Sequence, residues 1–278
     1  MNDSFPSGDR RFGARPTTRL RRARLSEAEI ELARRERLTP RITQWDYLHL
    51  SGLRRGLLAS FRMVPGDAAP VLDLFCGTKP YVELIPWEPV WGADIDDHFG
   101  RADVLATAPL PFRDGAFGLV LCSQALHLVD DPVATVREIA RVVAPGGNAV
   151  VTIPHLFLAE GAFERRWGPA DLRALFAGWD DVRIAGIDGA GAALAFVLGR
   201  VAMLVGRRWT VLEPLLRPAF AFMNAVCAAL DAWSTPLHRR WPHSLVLIAR
   251  RPAISSSGPR SPIPRRDDRE DQVSSDTT

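Results

Sequence analysis

From Pro70 to Arg250 the chain repeats one pattern: a short, mainly apolar run, then a stretch with helical spacing. The runs are Val71 to Phe75, Val90 to Ala93, Leu119 to Cys122, Ala149 to Ile153, Val182 to Ile187 and Leu245 to Ala249. A strand that is apolar at nearly every position suits burial on both faces, and parallel strands need crossovers, which helices supply. The pattern predicts an α/β fold with a mostly parallel sheet and helices on both faces. The clearest helix, Pro132 to Val143, places Val133, Val136, Ile139, Ala140 and Val143 on one face. Asp130 and Asp131 precede it as caps, and Pro145-Gly146-Gly147 is expected to stop it. A second spans about Pro169 to Phe176. Upstream, Ser26 and Glu29 form a capping box for a helix ending near Arg37, and another helix is expected over Tyr47 to Phe61.

The 278 residues, 47% hydrophobic, suffice for one substantial core. Residues 1–24 and 252–278 are rich in Pro, Ser, Arg and Asp without apolar periodicity and read as disordered tails around a domain over 25–251. Seven Arg between Arg10 and Arg24, with no acid among them, carry most of the formal charge of +3. The remainder is near neutral, so the arm reads as a solvated tail and nucleic acid is not an expected partner. Cys76, Cys122 and Cys227 are widely spaced, which indicates neither a disulfide framework nor a zinc site and fits a reducing cytoplasm. The first residues lack a charged segment followed by an apolar one, so no secretory signal is expected.

The segment VLDLFCGTKPY joins a buried run, an acid near its end and a turn at Cys76-Gly77-Thr78. The next run delivers Asp94 about 20 residues later, the distance at which a carboxylate beyond a second parallel strand can accept from two ribose hydroxyls. From Val71 to Pro154 the sequence resembles class I methyltransferases of the type 11 group, through four ordered blocks: VLDLFCGTKPY, VWGADID, ADVLATAPLPFRDGAFGLVLCSQALHLVDD and REIARVVAPGGNAVVTIP. The resemblance implies a Rossmann-like seven-stranded sheet, S-adenosyl-L-methionine (SAM) as cofactor and methyl transfer as activity. It assigns Asp73, Cys76 and Gly77 to the loop around the methionine moiety, Asp94 to the ribose, Asp103 with Val104 to the adenine, and Ser123 with Gln124 to the methionine end. Two positions depart from the family pattern. Phe75 stands where the first glycine of the loop is usual and fits if its side chain turns into the sheet, and Gly118 replaces a usual Asp. Pro80 is expected to shorten or displace the helix after the loop.

His127 and His155 follow predicted central strands and are the candidate general bases. Asp96 and Asp97 compete with Asp94 for the ribose, and His238 and His243 read as surface residues. Trp209, Trp233 and Trp241 cluster late in the chain. About 55 residues separate Ile187 from Leu245 where this fold has a short link. Residues 189–242 therefore form an apolar helical insertion before the last strand. Its runs are shorter than the roughly 18 uncharged residues of a membrane span. It reads as a lid or homodimer surface, or as a peripheral membrane contact suited to a lipid-linked acceptor, with small molecules and sugars the other acceptor classes. The competing function is a non-catalytic SAM-binding or membrane-associated scaffold. A nucleotide-binding oxidoreductase is disfavoured because GxGxxG is absent.

Overall fold

A computed structural model of the protein describes residues 26–95, 99–106, 109–156, 165–206, 213–233 and 241–253. The arm at 1–24, the tail beyond Ala253, and Asp96, Asp97, Trp209 and His238 lie outside them. Seven strands form one sheet: β1 (Val71–Leu74), β2 (Val90–Asp94), β3 (Val104–Leu105), β4 (Phe117–Ser123), β5 (Val143–Pro154), β6 (Asp180–Ile187) and β7 (Ser244–Arg250). Their order is β3-β2-β1-β4-β5-β7-β6. The first five run parallel, and β7 is antiparallel to both β5 and β6. The chain winds outward from β1 to β3, then returns to lay β4 on the other side of β1. That reversal opens a crevice beyond the carboxyl ends of β1 and β4.

Period-two alternation sorts the apolar runs between two cores. Leu72, Leu74, Val120, Cys122, Val151 and Ile153 face α3 (Pro132–Val142), meeting Val136, Ile139 and Val142. Val71, Leu119, Leu121 and Val150 face α2 (Tyr47–Met63), meeting Leu53, Leu57 and Phe61. Asp73 is in phase with Val71 and so points to the α2 side. The remaining helices are α1 (Glu27–Leu38), α4 (Pro169–Leu175), α5 (Ala190–Gly206) and α6 (Glu213–Trp233). Ser26 and Glu29 close the expected capping box on α1, and Asp131 caps α3 by accepting from the Ala134 N–H at 2.9 Å.

Three local expectations change. Pro145-Gly146-Gly147 does not terminate α3: the helix ends at Val142, and the three residues lie inside β5 near its start, where its register with β4 shifts between Phe117 and Leu119. Behind Pro80 the helix is reduced to a single 3₁₀ turn, Val82–Leu84. Gly118 has no room for the usual acid, because a Cβ there lies 2.5 Å from the Ala68 carbonyl oxygen.

The insertion is an antiparallel pair, α5 and α6. Near the end of α6 the Asp231 carboxylate accepts from the N–H groups of Gly189, Gly191 and Ala192 at 3.2, 2.7 and 2.9 Å, capping the start of α5. Buried Asn224 on α6 donates to the carbonyls of Ile42 and Gln44, both at 2.8 Å. The pair is thus tied to the segment that leads into α2. Among the described residues no helix is long and apolar enough to cross a membrane.

Candidate active site

The turn after β1 needs positive φ at several positions. Gly77 (φ +53) supplies it without steric cost, and the space beside its α-carbon is open. Phe75 adopts φ +61, a region costing a residue with a Cβ roughly 1–2 kcal/mol, which accounts for the family's glycine there. Its ring packs against the core on the α3 face, so the backbone, rather than the side chain, keeps the loop's shape. Asp94 fastens the turn: one carboxylate oxygen accepts from the Gly77 N–H and the other from the Ile95 N–H, each at 2.7 Å.

Beyond these strand ends lies a cleft of about 550 Å³, lined on the sheet side by Asp73, Phe75, Cys76, Gly77, Thr78, Asp94, Ser123 and Gln124. That volume suits a cofactor-sized ligand. The opposite wall comes from α2, the two residues before it and the insertion: Trp45, Asp46, His49, Leu50, Leu53, Phe196 and Arg200. Asp73 is 4% exposed, and burial pushes its carboxyl up to about 7, with nearby Lys79 pulling it down and Asp94 pushing it up. Burial likewise raises Asp46 to about 6 and Tyr81 to about 12. Two donors on the cleft, Gln124 Nε2 and the Tyr81 hydroxyl, are buried without a hydrogen-bond partner among the described residues. Orphaned donors are costly, and both residues line the cleft.

Of the residues expected from sequence, Asp73, Cys76, Gly77, Asp94 and Ser123 meet at this cleft. Asp103 and Val104 do not line it. Asp103 sits against the edge of β2, where its Oδ2 accepts from the Gly92 N–H at 2.7 Å and pairs with Lys79, the only lysine. Partial burial opposes its charge, but the bonds from Lys79 and Gly92 hold its carboxyl below the usual range. His127 and His155 are also elsewhere. His127 is 6% exposed, and burial drops its imidazole to about 4. His155 Nδ1 donates to the Trp167 carbonyl at 3.0 Å. Trp233 and Trp241 are exposed rather than cleft-lining.

Sequence reasoning missed His49, on the cleft wall, and mistook His243 for a surface residue. His243 is 1% exposed, packed beneath α2 at the start of β7. A signal for His49 existed: it lies three residues after Asp46 and four before Leu53, on the helical face that carries α2 into the core.

A parallel sheet that reverses at β1 and β4, with acids and a glycine turn at that point, defines a doubly wound protein built to hold a nucleoside-type cofactor. The methyltransferase-domain family matches residues 72–151. Curated relatives include demethylmenaquinone methyltransferases from Mycolicibacterium vanbaalenii, 35% identical over 108 residues, and from a Mycobacterium species, 36% identical over the same length. Each match covers 35% of this chain and 46% of the relative, so the chain spans about half the length of the curated relatives it matches. Among solved structures, the cyclase SpnF aligns with a TM-score of 0.49 at 21% identity, over 74% of this chain and 83% of that one. A SAM-dependent methyltransferase from Archaeoglobus fulgidus aligns with 0.46 at 14% identity, over 79% and 99%. The family match thus runs from β1 into β5, through the strands that build the sheet side of the cleft.

Proposed function

We propose that the protein transfers a methyl group from SAM to a small aromatic acceptor bearing a hydroxyl group. The observation that carries this reading is the continuity of one cleft from Asp73, Gly77, Asp94 and Gln124 to Trp45, His49 and Phe196. The first set suits a cofactor with a ribose and a cationic amino-acid end; the second suits a flat apolar ring. Asp94 accepts from the ribose hydroxyls. Asp73 faces the ammonium, whose charge favours the ionised carboxylate, and Gly77, Cys76 and Ser123 line the methionine end. Bound SAM supplies a methyl group activated by its sulfonium sulfur. The protein contributes positioning and exclusion of water. Trp45 and Phe196, with ring centroids 5.3 Å apart, and Arg200, 5.7 Å from the Trp45 ring, form an aromatic and cationic wall for the acceptor. The names of the mycobacterial relatives support a quinone-type ring.

The insertion supports an apolar acceptor. Leu194, Leu198, Val201 and Val205 form an exposed stripe on α5, and Phe222, Val226, Leu230 and Trp233 form another on α6. Stripes at this spacing suit a peripheral contact with a membrane surface from which a lipid-soluble acceptor enters.

Calorimetry with SAM and with S-adenosylhomocysteine tests the cofactor half. Stoichiometric binding of both is expected, and absence of binding by the folded protein overturns the proposal.

A further inference from the structure

Helix α2 and strand β7 bring together two histidines 194 residues apart. His49 Nδ1 lies 3.0 Å from His243 Nε2, and His243 Nδ1 lies 2.8 Å from the Leu156 carbonyl oxygen. A carbonyl only accepts, so His243 Nδ1 carries a proton. In the neutral ring its Nε2 is then an acceptor, which requires His49 Nδ1 to be the donor. His49 Nε2 is left with its lone pair at the cleft wall, with no hydrogen-bond partner among the described residues. Phe196 packs against both rings, with centroids 5.1 Å from His49 and 5.2 Å from His243.

We propose that His49 is the general base that takes the acceptor's hydroxyl proton during methyl transfer, and that His243 is a positioning residue fixing its tautomer. The inference rests on the methyl-transfer reading above. In the step, the O–H proton passes to His49 Nε2, and the electron pair it leaves drives bond formation between the methyl carbon and either that oxygen or the ring carbon conjugated to it; where carbon is the nucleophile, its C–H proton then leaves to water and that bond's pair restores the aromatic ring. The pair of the breaking carbon–sulfur bond stays on sulfur, and His49 ends as an imidazolium. A second proton transfer to water restores it.

Burial holds the rings in the neutral state that this task needs. Desolvation, then His243 and Arg37, keep His49 well below its ordinary value, and desolvation brings His243 down to about 4. The charged and titratable groups facing the pair are Asp46 at the head of α2, Arg37 from α1 and Arg200 from α5. Asp231 from α6 and His155 beyond β5 act on His243.

The experiment uses the full chain with labelled SAM and a short-chain 2-prenyl-1,4-naphthohydroquinone. His49→Gln is expected to lower kcat by at least 100-fold, as loss of a general base does, while SAM affinity by calorimetry stays within twofold. His243→Leu is expected to lower kcat by about tenfold and shift the acid limb of its pH profile, a shift that mere loosening of the fold does not produce. His243→Gln, which keeps an acceptor near the Nε2 position, retains more activity than the leucine variant. Long-range ¹⁵N–¹H spectra at pH 7.5 are expected to show His49 protonated at Nδ1 only. A proton on Nε2, or kcat within threefold of wild type in His49→Gln, overturns the proposal. SAM binding without transfer by the wild type overturns the acceptor reading and the proposal with it; absence of SAM binding overturns the whole functional reading.

Discussion

Asp94→Asn separates the two tasks of one carboxylate. In the folded protein its oxygens accept from Gly77 and Ile95, and in the proposed complex they would also accept from the ribose. Hydrogen bonds to a charged acceptor contribute about 1.5–3 kcal/mol and neutral ones about 0.5–1.5, so removing the charge costs about 1 kcal/mol for each ribose hydroxyl. The amide must also turn its NH₂ toward one of the two backbone donors, which loosens the Gly77 turn before ligand arrives. Two hydroxyl bonds and a share of that loosening amount to about 2–3 kcal/mol. At about 1.4 kcal/mol per factor of ten, Kd for SAM is expected to rise roughly 30- to 100-fold.

The assay is titration calorimetry with SAM and S-adenosylhomocysteine, with urea unfolding of each apo protein to measure the stability cost separately. Both ligands carry the ribose, so both must weaken in parallel. Asp103→Asn is the control, since that carboxylate stands outside the cleft and pairs with Lys79; its Kd is expected to move less than fivefold. A change below threefold in Asp94→Asn, with the fold intact, refutes the ribose assignment. Equal losses in the two variants refute the geometry.

Gly118→Ala is expected to destabilise the apo protein by about 2–3 kcal/mol, because the new Cβ meets the Ala68 backbone and not a side chain that can move. Differential scanning calorimetry then reads a Tm drop of roughly 4–10 °C, and an unchanged Tm refutes the close approach. Burial raises Asp73 to about 7, so between about pH 4 and 7 the folded apo protein keeps a proton that the unfolded chain has released. The stability associated with that group is present below about pH 4 and is lost as pH rises through 7, by up to about 1.4 kcal/mol per pH unit. Asp73→Asn removes this slope, so its urea midpoint must gain on wild type between pH 5 and 8; a gap independent of pH refutes the assignment. For the insertion, Phe222→Ser with Val205→Ser is expected to reduce sedimentation with phosphatidylglycerol vesicles at least fivefold. Unchanged sedimentation refutes the membrane contact, and a dimer in the wild type that the pair dissociates assigns the stripes to a second copy instead.

The sheet was legible because six of its strands are mainly apolar runs, and the central ones, β1, β4 and β5, are buried on both faces, which leaves few alternatives. β3 was not, since two residues carry no period and Val104–Leu105 is held only by Ala93 and Asp94 on β2. The cofactor loop was legible for a related reason. The glycine turn and the acid of the next strand lie about 20 residues apart in sequence, and the parallel register of β1 with β2 fixes their meeting in space. Gly118 and Phe75 looked like departures from a pattern only because the pattern does not record the neighbour. The Ala68 carbonyl excludes a side chain at one, and the core on the α3 face absorbs the ring at the other.

The opposite wall of the cleft obeys a different logic. His49 stands in a helix before the first strand and His243 just ahead of the last. Neither residue has a local reason to be functional. They meet because β7 inserts between β5 and β6, bringing the start of the last strand under α2, and because Asp231 and Asn224 hold the α5–α6 pair over the same place. The order of strands therefore explains why sequence favoured His127 and His155. Both follow central strands, where catalytic groups of this fold are expected, yet one is turned into the core and the other is held by the Trp167 carbonyl. In this chain the half of the cleft suited to the cofactor is built from neighbours in the parallel sheet. The half suited to the acceptor is built by the antiparallel strand and the insertion that precedes it, so differences in acceptor among related chains should track those elements rather than the loop after β1.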